Sequence, residues 1–219
     1  MKEGSKMNVA QVSGFLAVSF LLLALIGDTT EACSCAPRHP QSAFCSADIV
    51  LRVRFVAVNK MEGNLSERWM YHEIKTTKVY KGPKEMQDVR YVYTPPFDSE
   101  CGYFHGGSLK EEYLITGRLN GNRVVIALCD FIRPWAEISL AQRRGFTSEY
   151  SKGCSCSSKY LIVDYSTTSS NECHWMEPYS STNQNDMACL PQMERNGTCH
   201  WQSLDTKGSG SVRKKRLTQ

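Results

Sequence analysis

The order of apolar and polar residues changes several times along the chain, and the first change marks its N-terminal segment. The longest apolar run, Val9–Gly27, follows two lysines and gives way to the polar sequence Thr30-Glu31-Ala32. A basic start, an apolar core and small residues at a cleavage position are typical of a secretory signal peptide. We therefore predict a leader over residues 1–32, a secreted protein, and a mature chain that begins at Cys33.

Alternation of apolar and polar residues with a period of two predicts five strands after the leader. These strands are Asp48–Lys60, Met70–Tyr80, Val89–Thr94, Glu112–Leu119 and Arg123–Cys129. Asn120-Gly121-Asn122 separates the last two and is a strong hairpin signal. The fold class predicted from this order is mainly β, with a small closed barrel of the OB type. The same strand count is also typical of a sandwich, and the periodicity does not choose between them.

Two segments outside the strands carry helix signals. His39–Asp48 has room for one or two helical turns, with Pro40 suited to the first helical position. Ser139-Leu140-Ala141-Gln142 has the pattern of a capping box and predicts a helix that reaches about Ser151.

The composition changes again at Cys154-Ser155-Cys156, where we place a domain boundary. We assign residues 33–154 to a first domain and residues 155–206 to a second, too polar and short to fold without disulfides. Residues 207–219 contain almost no apolar side chain and are predicted to be a disordered basic tail.

The cysteine content places the chain in an oxidising environment. All ten cysteines follow the leader, which is typical of a disulfide-bonded extracellular protein. Two acceptor sequences, at Asn64 and Asn196, fit a secreted glycoprotein, and Asn64 is the better candidate because it lies in a polar stretch. A net charge of +4 is too small and dispersed to indicate nucleic-acid binding. The basic run Arg213–Arg216 offers a site for sulfated glycosaminoglycans, although such a tail can also simply be solvated.

Enzymatic chemistry has little support in the sequence. His72-Glu73 begins like a zinc-protease motif, but the position of the second histidine holds Thr76. Nucleophile-elbow, P-loop and dinucleotide-binding patterns are also missing from the sequence. The histidines are scattered, and we expect surface or packing roles for them: His39, His72, His105, His174 and His200. We therefore predict a protein that is not an enzyme and has no cofactor of its own.

Two Cys-x-Cys pairs, Cys33 with Cys35 and Cys154 with Cys156, are compatible with thiolate metal ligands or with disulfides. We favour disulfides to other cysteines, because neighbours so close rarely bridge each other. Ten cysteines allow roughly 945 pairings, and the sequence pattern does not select one. Cys33 has a further property: after leader removal its amine and carbonyl oxygen can close a five-membered chelate ring on a metal ion.

The sequence Cys33–Cys45 (CSCAPRHPQSAFC) resembles the N-terminal signature of the tissue inhibitors of metalloproteinases. The similarity covers essentially the whole mature chain except the tail. It continues through Val79–Gly82, Tyr93–Pro95, Cys101–His105, Glu112–Ile115, Leu128-Cys129, Ser139–Thr147, Ala188–Pro191 and Cys199–Gln202.

The resemblance implies a netrin-like OB-fold inhibitory domain and a smaller disulfide-rich C-terminal domain. It also implies a disulfide pairing: Cys33 with Cys101, Cys35 with Cys129, Cys45 with Cys154, Cys156 with Cys199, and Cys173 with Cys189. Members of this family usually have twelve cysteines, and the missing pair falls between Cys156 and Cys173.

The function that the resemblance implies is inhibition of matrix metalloproteinases and related zinc proteases. In that reading the amine and carbonyl of Cys33 chelate the zinc of the protease, and Ser34 enters the specificity pocket. The implied protease-contacting residues are Cys33, Ser34, Cys35, Ala36, Pro37, Ser99, Glu100, Cys101 and Gly102. Glu100 replaces a small or apolar residue of the family, and we hypothesise that it shifts selectivity among proteases. The alternative is a non-inhibitory netrin-type binding module of the extracellular matrix.

Overall fold

A computed structural model describes residues 33–64, 68–160, 169–175, 183–192 and 197–205. The predicted leader, the basic tail and Asn196 lie outside these residues, so their assignments stay predictions. The described residues belong to one compact unit whose first residue is Cys33. A search of the described helices finds none with both the length and the apolar character needed to cross a membrane.

The larger sheet contains six strands. They are β1 (Ile49–Glu62), β2 (Trp69–Lys81), β3 (Tyr91–Thr94), β4 (Glu112–Asn120), β5 (Arg123–Val125) and β6 (Ile132–Pro134). The order is β1-β2-β3-β5-β4-β6, and β1 also pairs with β4. The first five strands therefore close into a barrel, with β6 added on β4. The closure confirms the OB-type barrel and excludes the open sandwich.

Strand β1 is central because it packs on both sides. Ile49, Leu51 and Val53 alternate into the barrel interior and are buried. Val50 faces the other way and is equally buried, in a second cluster with Leu190 from the C-terminal part of the chain. Further along the strand the outward positions become exposed, as the alternating pattern of the sequence predicts.

The short helices flank the barrel. Helix α1 (Pro40–Ser46) has Pro40 at its start, as predicted, and His39 as its N-cap. Helix α2 (Leu140–Arg144) opens with the predicted capping box at Ser139. It is followed by a π-helical turn, Gly145–Glu149, and a 3-10 turn, Tyr150–Gly153, rather than by a regular α-helix to Ser151. Gly145 permits this change of geometry, since a Cβ there would lie 2.3 Å from the Tyr150 ring.

Two predicted strands are shorter in the structure. Strand β3 starts at Tyr91 instead of Val89, and β5 ends at Val125 instead of Cys129. The chain turns after β5 because the Ala127 amide donates to the Asp130 carboxylate at 2.8 Å, which replaces a sheet hydrogen bond. Residues predicted as strand therefore form a loop that carries Cys129.

The C-terminal part contains two small sheets. Strands β7 (Ser157–Tyr160) and β8 (Glu172–Trp175) pair in parallel, and β9 (Met187–Gln192) pairs with β10 (Thr198–Ser203) in antiparallel fashion. Four buried half-cystines form their own cluster there: Cys156, Cys173, Cys189 and Cys199.

All ten cysteines are disulfide-bonded. The bridges are Cys33–Cys101, Cys35–Cys129, Cys45–Cys154, Cys156–Cys199 and Cys173–Cys189. They join the same cysteines as the resemblance implies. Neither Cys-x-Cys pair therefore offers a thiolate to a metal ion.

Side chains of α1 tie the barrel to the C-terminal strands. The Gln41 amide nitrogen donates to the carbonyls of Gly153 and Cys189 at 2.9 and 2.8 Å, and its oxygen accepts from the Cys189 amide at 2.7 Å. His39 Nε2 donates to the Gln184 carbonyl at 2.9 Å. The bonds to Cys189 and Gln184 cross the predicted boundary at residue 154, and one core cluster contains residues from both sides of it.

Candidate functional site

The segment that begins at Cys33 is exposed and has no regular secondary structure before α1. Cys33 itself is half-buried, whereas the residues from Ser34 to Arg38 are exposed. The segment ends at His39, which is buried and caps α1 by accepting a hydrogen bond from the Gln41 amide at 3.1 Å. The backbone of the exposed segment is therefore held in place at its C-terminal end by the buried His39.

Two neighbouring disulfides hold this segment against different loops of the barrel. The Cα–Cα distances are 5.4 Å for Cys33–Cys101 and 5.2 Å for Cys35–Cys129. The bridges lie side by side, with 3.9 Å between the sulfur atoms of Cys33 and Cys129. Ser34 sits between the two attachment points, so its backbone cannot swing away from the barrel.

The loop that carries Cys101 supplies a second exposed segment. A 3-10 turn, Asp98–Glu100, leads into Cys101, whose φ of 59° is left-handed. The Phe97 carbonyl accepts from the amides of Glu100 and Gly102 at 3.1 and 3.0 Å. Ser99 and Glu100 are exposed, while Gly102 is buried. The turn therefore exposes the side chains of Ser99 and Glu100 next to the segment that begins at Cys33. The chain then re-enters the barrel at Gly102.

The loop after β5 completes the support. The Leu128 amide donates to the Cys101 carbonyl at 2.8 Å, which links the two loops directly. Burial raises the pKa of Asp130, opposed by the hydrogen bond that it accepts from the Ala127 amide. The side chains of Phe97 and Leu128 are 51% and 45% exposed at this edge. Neither was among the contact residues predicted from the sequence, although each lies within two residues of a predicted contact or its disulfide partner.

A buried aromatic and histidine cluster anchors the chain just beyond Gly102. His72 Nδ1 accepts from the Asn59 amide at 3.1 Å, and its Nε2 donates to the Tyr103 carbonyl at 3.0 Å. The Tyr103 hydroxyl bonds to His105 Nδ1 at 3.0 Å. Burial lowers the pKa of His72 to about 4 and also lowers that of His105. Both rings are therefore neutral packing residues that hold the second exposed segment in place.

The cysteine sulfurs at the edge do not form a resident metal centre. The sulfur atoms of Cys33, Cys35 and Cys129 lie within 4.8 Å of one another, but each is consumed in a disulfide. The thiolates of these cysteines are therefore not available for metal coordination. The arrangement places two exposed segments, Ser34–Arg38 and Ser99-Glu100, next to the bridge between Cys33 and Cys101.

Comparison with known proteins gives a consistent result. Residues 31–201 match the family model described as tissue inhibitor of metalloproteinase. The chain is 39% identical over 210 residues to metalloproteinase inhibitor 2 of Bos taurus, covering 89% of this chain and 92% of the relative. It is 36% identical over 199 residues to metalloproteinase inhibitor 2 of Homo sapiens, covering 85% and 88%. It is 36% identical over 202 residues to metalloproteinase inhibitor 3 of Xenopus laevis, covering 89% and 92%.

Proposed function

The chain belongs to the tissue inhibitor of metalloproteinase family, and from that premise we propose that it inhibits secreted zinc metalloproteinases through the edge that begins at Cys33. The single observation that carries the proposal is the double attachment of this edge, since Cys33 and Cys35 are bridged to two different loops. The relatives bear the names of inhibitors and not of enzymes, which agrees with the lack of catalytic motifs in the sequence.

Leader removal after Ala32 would give Cys33 a free α-amino group. The amine nitrogen and the carbonyl oxygen of Cys33 would then chelate the zinc of the protease and displace its bound water. An α-amino group has a pKa of about 8, so loss of its proton at neutral pH requires little free energy. In this mechanism the protein would need no cofactor of its own, because the zinc belongs to the protease.

Exposed side chains beside the chelating group would set specificity. Ser34 would enter the pocket that receives the substrate side chain after the scissile bond, while Cys35, Ala36 and Pro37 follow through the next subsites. Ser99, Glu100 and Cys101 would form the second contact strand, supported by the buried Gly102. The carboxylate of Glu100 is exposed at this rim, where a charge affects association and partner choice.

Rigidity of the edge before binding would strengthen inhibition. Ordering one flexible side chain at an interface costs about 0.5–1.5 kcal/mol, and ordering backbone costs more. The two bridges and the Leu128–Cys101 hydrogen bond remove much of that cost in advance. Secretion to the extracellular space is part of the proposal, since the leader and the target proteases both require it. Binding of sulfated glycans by the tail stays a prediction from the sequence.

The experiment that tests the chelation mechanism adds one residue to the mature N-terminus. Extending the chain by a single alanine before Cys33 converts the amine into an amide, and we expect inhibition to weaken at least 100-fold. Mass spectrometry of the secreted wild type should find Cys33 as the first residue. A serine-to-alanine change at exposed Ser46 in α1, away from the edge, serves as the control. Unchanged inhibition by the extended protein would contradict the chelation mechanism, whereas a wild type that inhibits no metalloproteinase would favour the alternative netrin-type binding module.

A further inference from the structure

A cleft of about 540 Å³ lies at the side of the proposed inhibitory edge. Its walls include Glu62 and Gly63 from the end of β1, Arg68 and Trp69 from the start of β2, and Glu100 and Arg123. The volume falls within the roughly 300–1,000 Å³ of clefts that hold small ligands. The cleft therefore has the size of a binding site, and of its lining residues only Glu100 also belongs to the proposed protease contact.

The lining combines an aromatic ring with groups that bind hydroxyls. Trp69 is half-buried, so part of its ring faces the cleft, and the Glu62 and Arg123 side chains are each nearly half exposed. Arg123 Nη2 lies 3.5 Å from Glu62 Oε1. A sugar ring fits such a lining, because its CH face packs on an aromatic ring while its hydroxyls bond to carboxylate and guanidinium groups.

The charges at the cleft favour an uncharged sugar over a sulfated one. The two positive charges of Arg68 and Arg123 are matched by the two negative charges of Glu62 and Glu100, so the lining carries no net charge. A polyanion would meet no excess of positive charge in this lining. An N-linked glycan begins with N-acetylglucosamine, which is uncharged and carries both an apolar face and hydrogen-bonding groups.

The position of Asn64 indicates which sugar would occupy the cleft. Asn64 is exposed and follows directly on Gly63, which lines the cleft and turns the chain with a φ of 93°. It opens the acceptor sequence Asn64-Leu65-Ser66, whose last two residues lie outside the described part of the chain. We propose that the chain's own N-glycan on Asn64 docks its first sugars in this cleft, against Trp69.

A docked glycan would cover the flank of the inhibitory edge. Glu100 belongs both to the cleft wall and to the second exposed segment, so a sugar in the cleft stands beside the proposed protease contact. Proteases with a bulky rim on this side would be excluded, while those with an open rim would still bind. This selectivity rests on the proposed function, whereas the docking itself does not.

The docking is tested on the full-length secreted protein from eukaryotic cells by hydrogen exchange. We compare the wild type with Asn64→Gln and Ser66→Ala, which remove the same glycan by different changes, and with Asn196→Gln as the matched control. Backbone amides around residues 62–64, 68–71 and 97–100 should exchange at least threefold faster in the first two variants and at the wild-type rate in the control. Enzymatic trimming of the folded wild type should reproduce the faster exchange.

A substitution in the cleft distinguishes a glycan that docks in the cleft from one that is only attached to Asn64. Trp69→Leu retains the glycan, and we expect it to lose most of the protection that the glycan confers. An unoccupied Asn64, or exchange that is equal with and without its glycan, would overturn the proposal.

The selectivity is tested separately with association rates for a panel of metalloproteinases. Loss of the Asn64 glycan should raise the rates for some proteases by threefold or more and leave others unchanged. A uniform response would overturn the selectivity while the docking stands. A wild type that inhibits none of the panel would overturn the proposed function and leave the exchange result intact.

Discussion

Gly102 marks the place where the second exposed segment returns to the barrel, and its surroundings leave no room for a side chain. A Cβ at this position would lie 2.3 Å from the Pro95 carbonyl oxygen, which is backbone and cannot rotate away. Gly106, four residues further along the same loop, has nothing within 4 Å of its corresponding position. The two glycines therefore form a natural pair for comparison.

Gly102→Ala should destabilise the protein by about 1–3 kcal/mol, the usual range for an added group in a packed site. It should also weaken inhibition, because the backbone must shift next to Cys101. The measurement is denaturant unfolding together with inhibition constants, and Gly106→Ala should match the wild type in both. Equal midpoints for the two alanine variants would show that the loop adjusts without strain.

At the residue scale, the structure gives Gly102 a steric role that the sequence did not predict. The resemblance identified Gly102 as a contact residue, but the structure buries it against Pro95. That steric role depends on the contact between the backbones at Gly102 and Pro95. The local sequence pattern does not predict such a contact. Phe97 and Leu128 were missed for the same reason, since their exposure at the edge depends on the fold.

At the scale of the element, helix α1 is short, and its stability comes from what its buried face contacts. Gln41 makes three hydrogen bonds with backbone groups of Gly153 and Cys189, a contact that spans 148 residues to Cys189. Pro40, which suits the first helical position, predicted the helix. The partner of its polar face could not be predicted, because it comes from the far end of the chain.

Gln41→Ala should lower the free energy of unfolding by about 2–4 kcal/mol, since it leaves buried backbone groups without partners. Thermal and denaturant unfolding measure this loss. Ser46→Ala, an exposed position whose hydroxyl bonds within the same helix, is the control and should change stability by less than about 0.5 kcal/mol. A small effect of Gln41→Ala would mean that water or a neighbouring side chain replaces the lost bonds.

The strand predictions were accurate where apolar and polar residues alternate over a long stretch. They were wrong at the ends of the short strands. Strand β1 has fourteen residues with a clear inward and outward face, and its position follows from the sequence. Strand β5 stops after three residues because the Asp130 carboxylate captures the Ala127 amide. A side chain that competes with the sheet for a backbone amide interrupts a strand without changing its hydrophobic pattern.

At the scale of the whole molecule, buried neutral histidines connect its parts. His39 lies between α1 and the C-terminal strands, and its ring centroid is 4.8 Å from that of Trp201. His72 lies under the loop that carries Cys101. In both rings Nδ1 accepts a backbone hydrogen bond, so a second proton on the ring would break that bond.

The stability of the protein should therefore fall as the pH falls below about 6.5. Burial lowers the pKa of His39 and of His72 from 6.5 to about 4, so the folded state favours the neutral rings. Stability is full above pH 6.5 and is lost as pH falls toward 4, by about 3 kcal/mol for His39. Urea unfolding at pH 7.0, 5.5 and 4.5 measures the loss.

The carboxylates with shifted pKa values do not produce the same loss over most of that pH range. The hydrogen bond with Lys152 lowers the pKa of Glu149 from 4.5, so the stability that this carboxylate adds is lost as the pH falls from about 4.5 downward, at the acid limit of the measurement. Burial raises the pKa of Asp130, so its protonation favours the folded state as the pH falls, opposite in sign to the histidines. His39→Gln should show a shallower pH dependence than the wild type. A free energy of unfolding that stays constant from pH 7.0 to 4.5 would contradict the assignment of neutral buried rings.

The pairing of the first three cysteines has a consequence for the order of events during biosynthesis. Cys33, Cys35 and Cys45 lie shortly after the predicted leader and are made early, but their partners follow 68, 94 and 109 residues later. A ribosome adds roughly 5–20 residues per second, so these thiols remain without their partners for several seconds of synthesis. The exposed edge at Cys33 therefore cannot be finished before Cys129 has been made, and a nascent chain that ends earlier lacks the second of its two bridges.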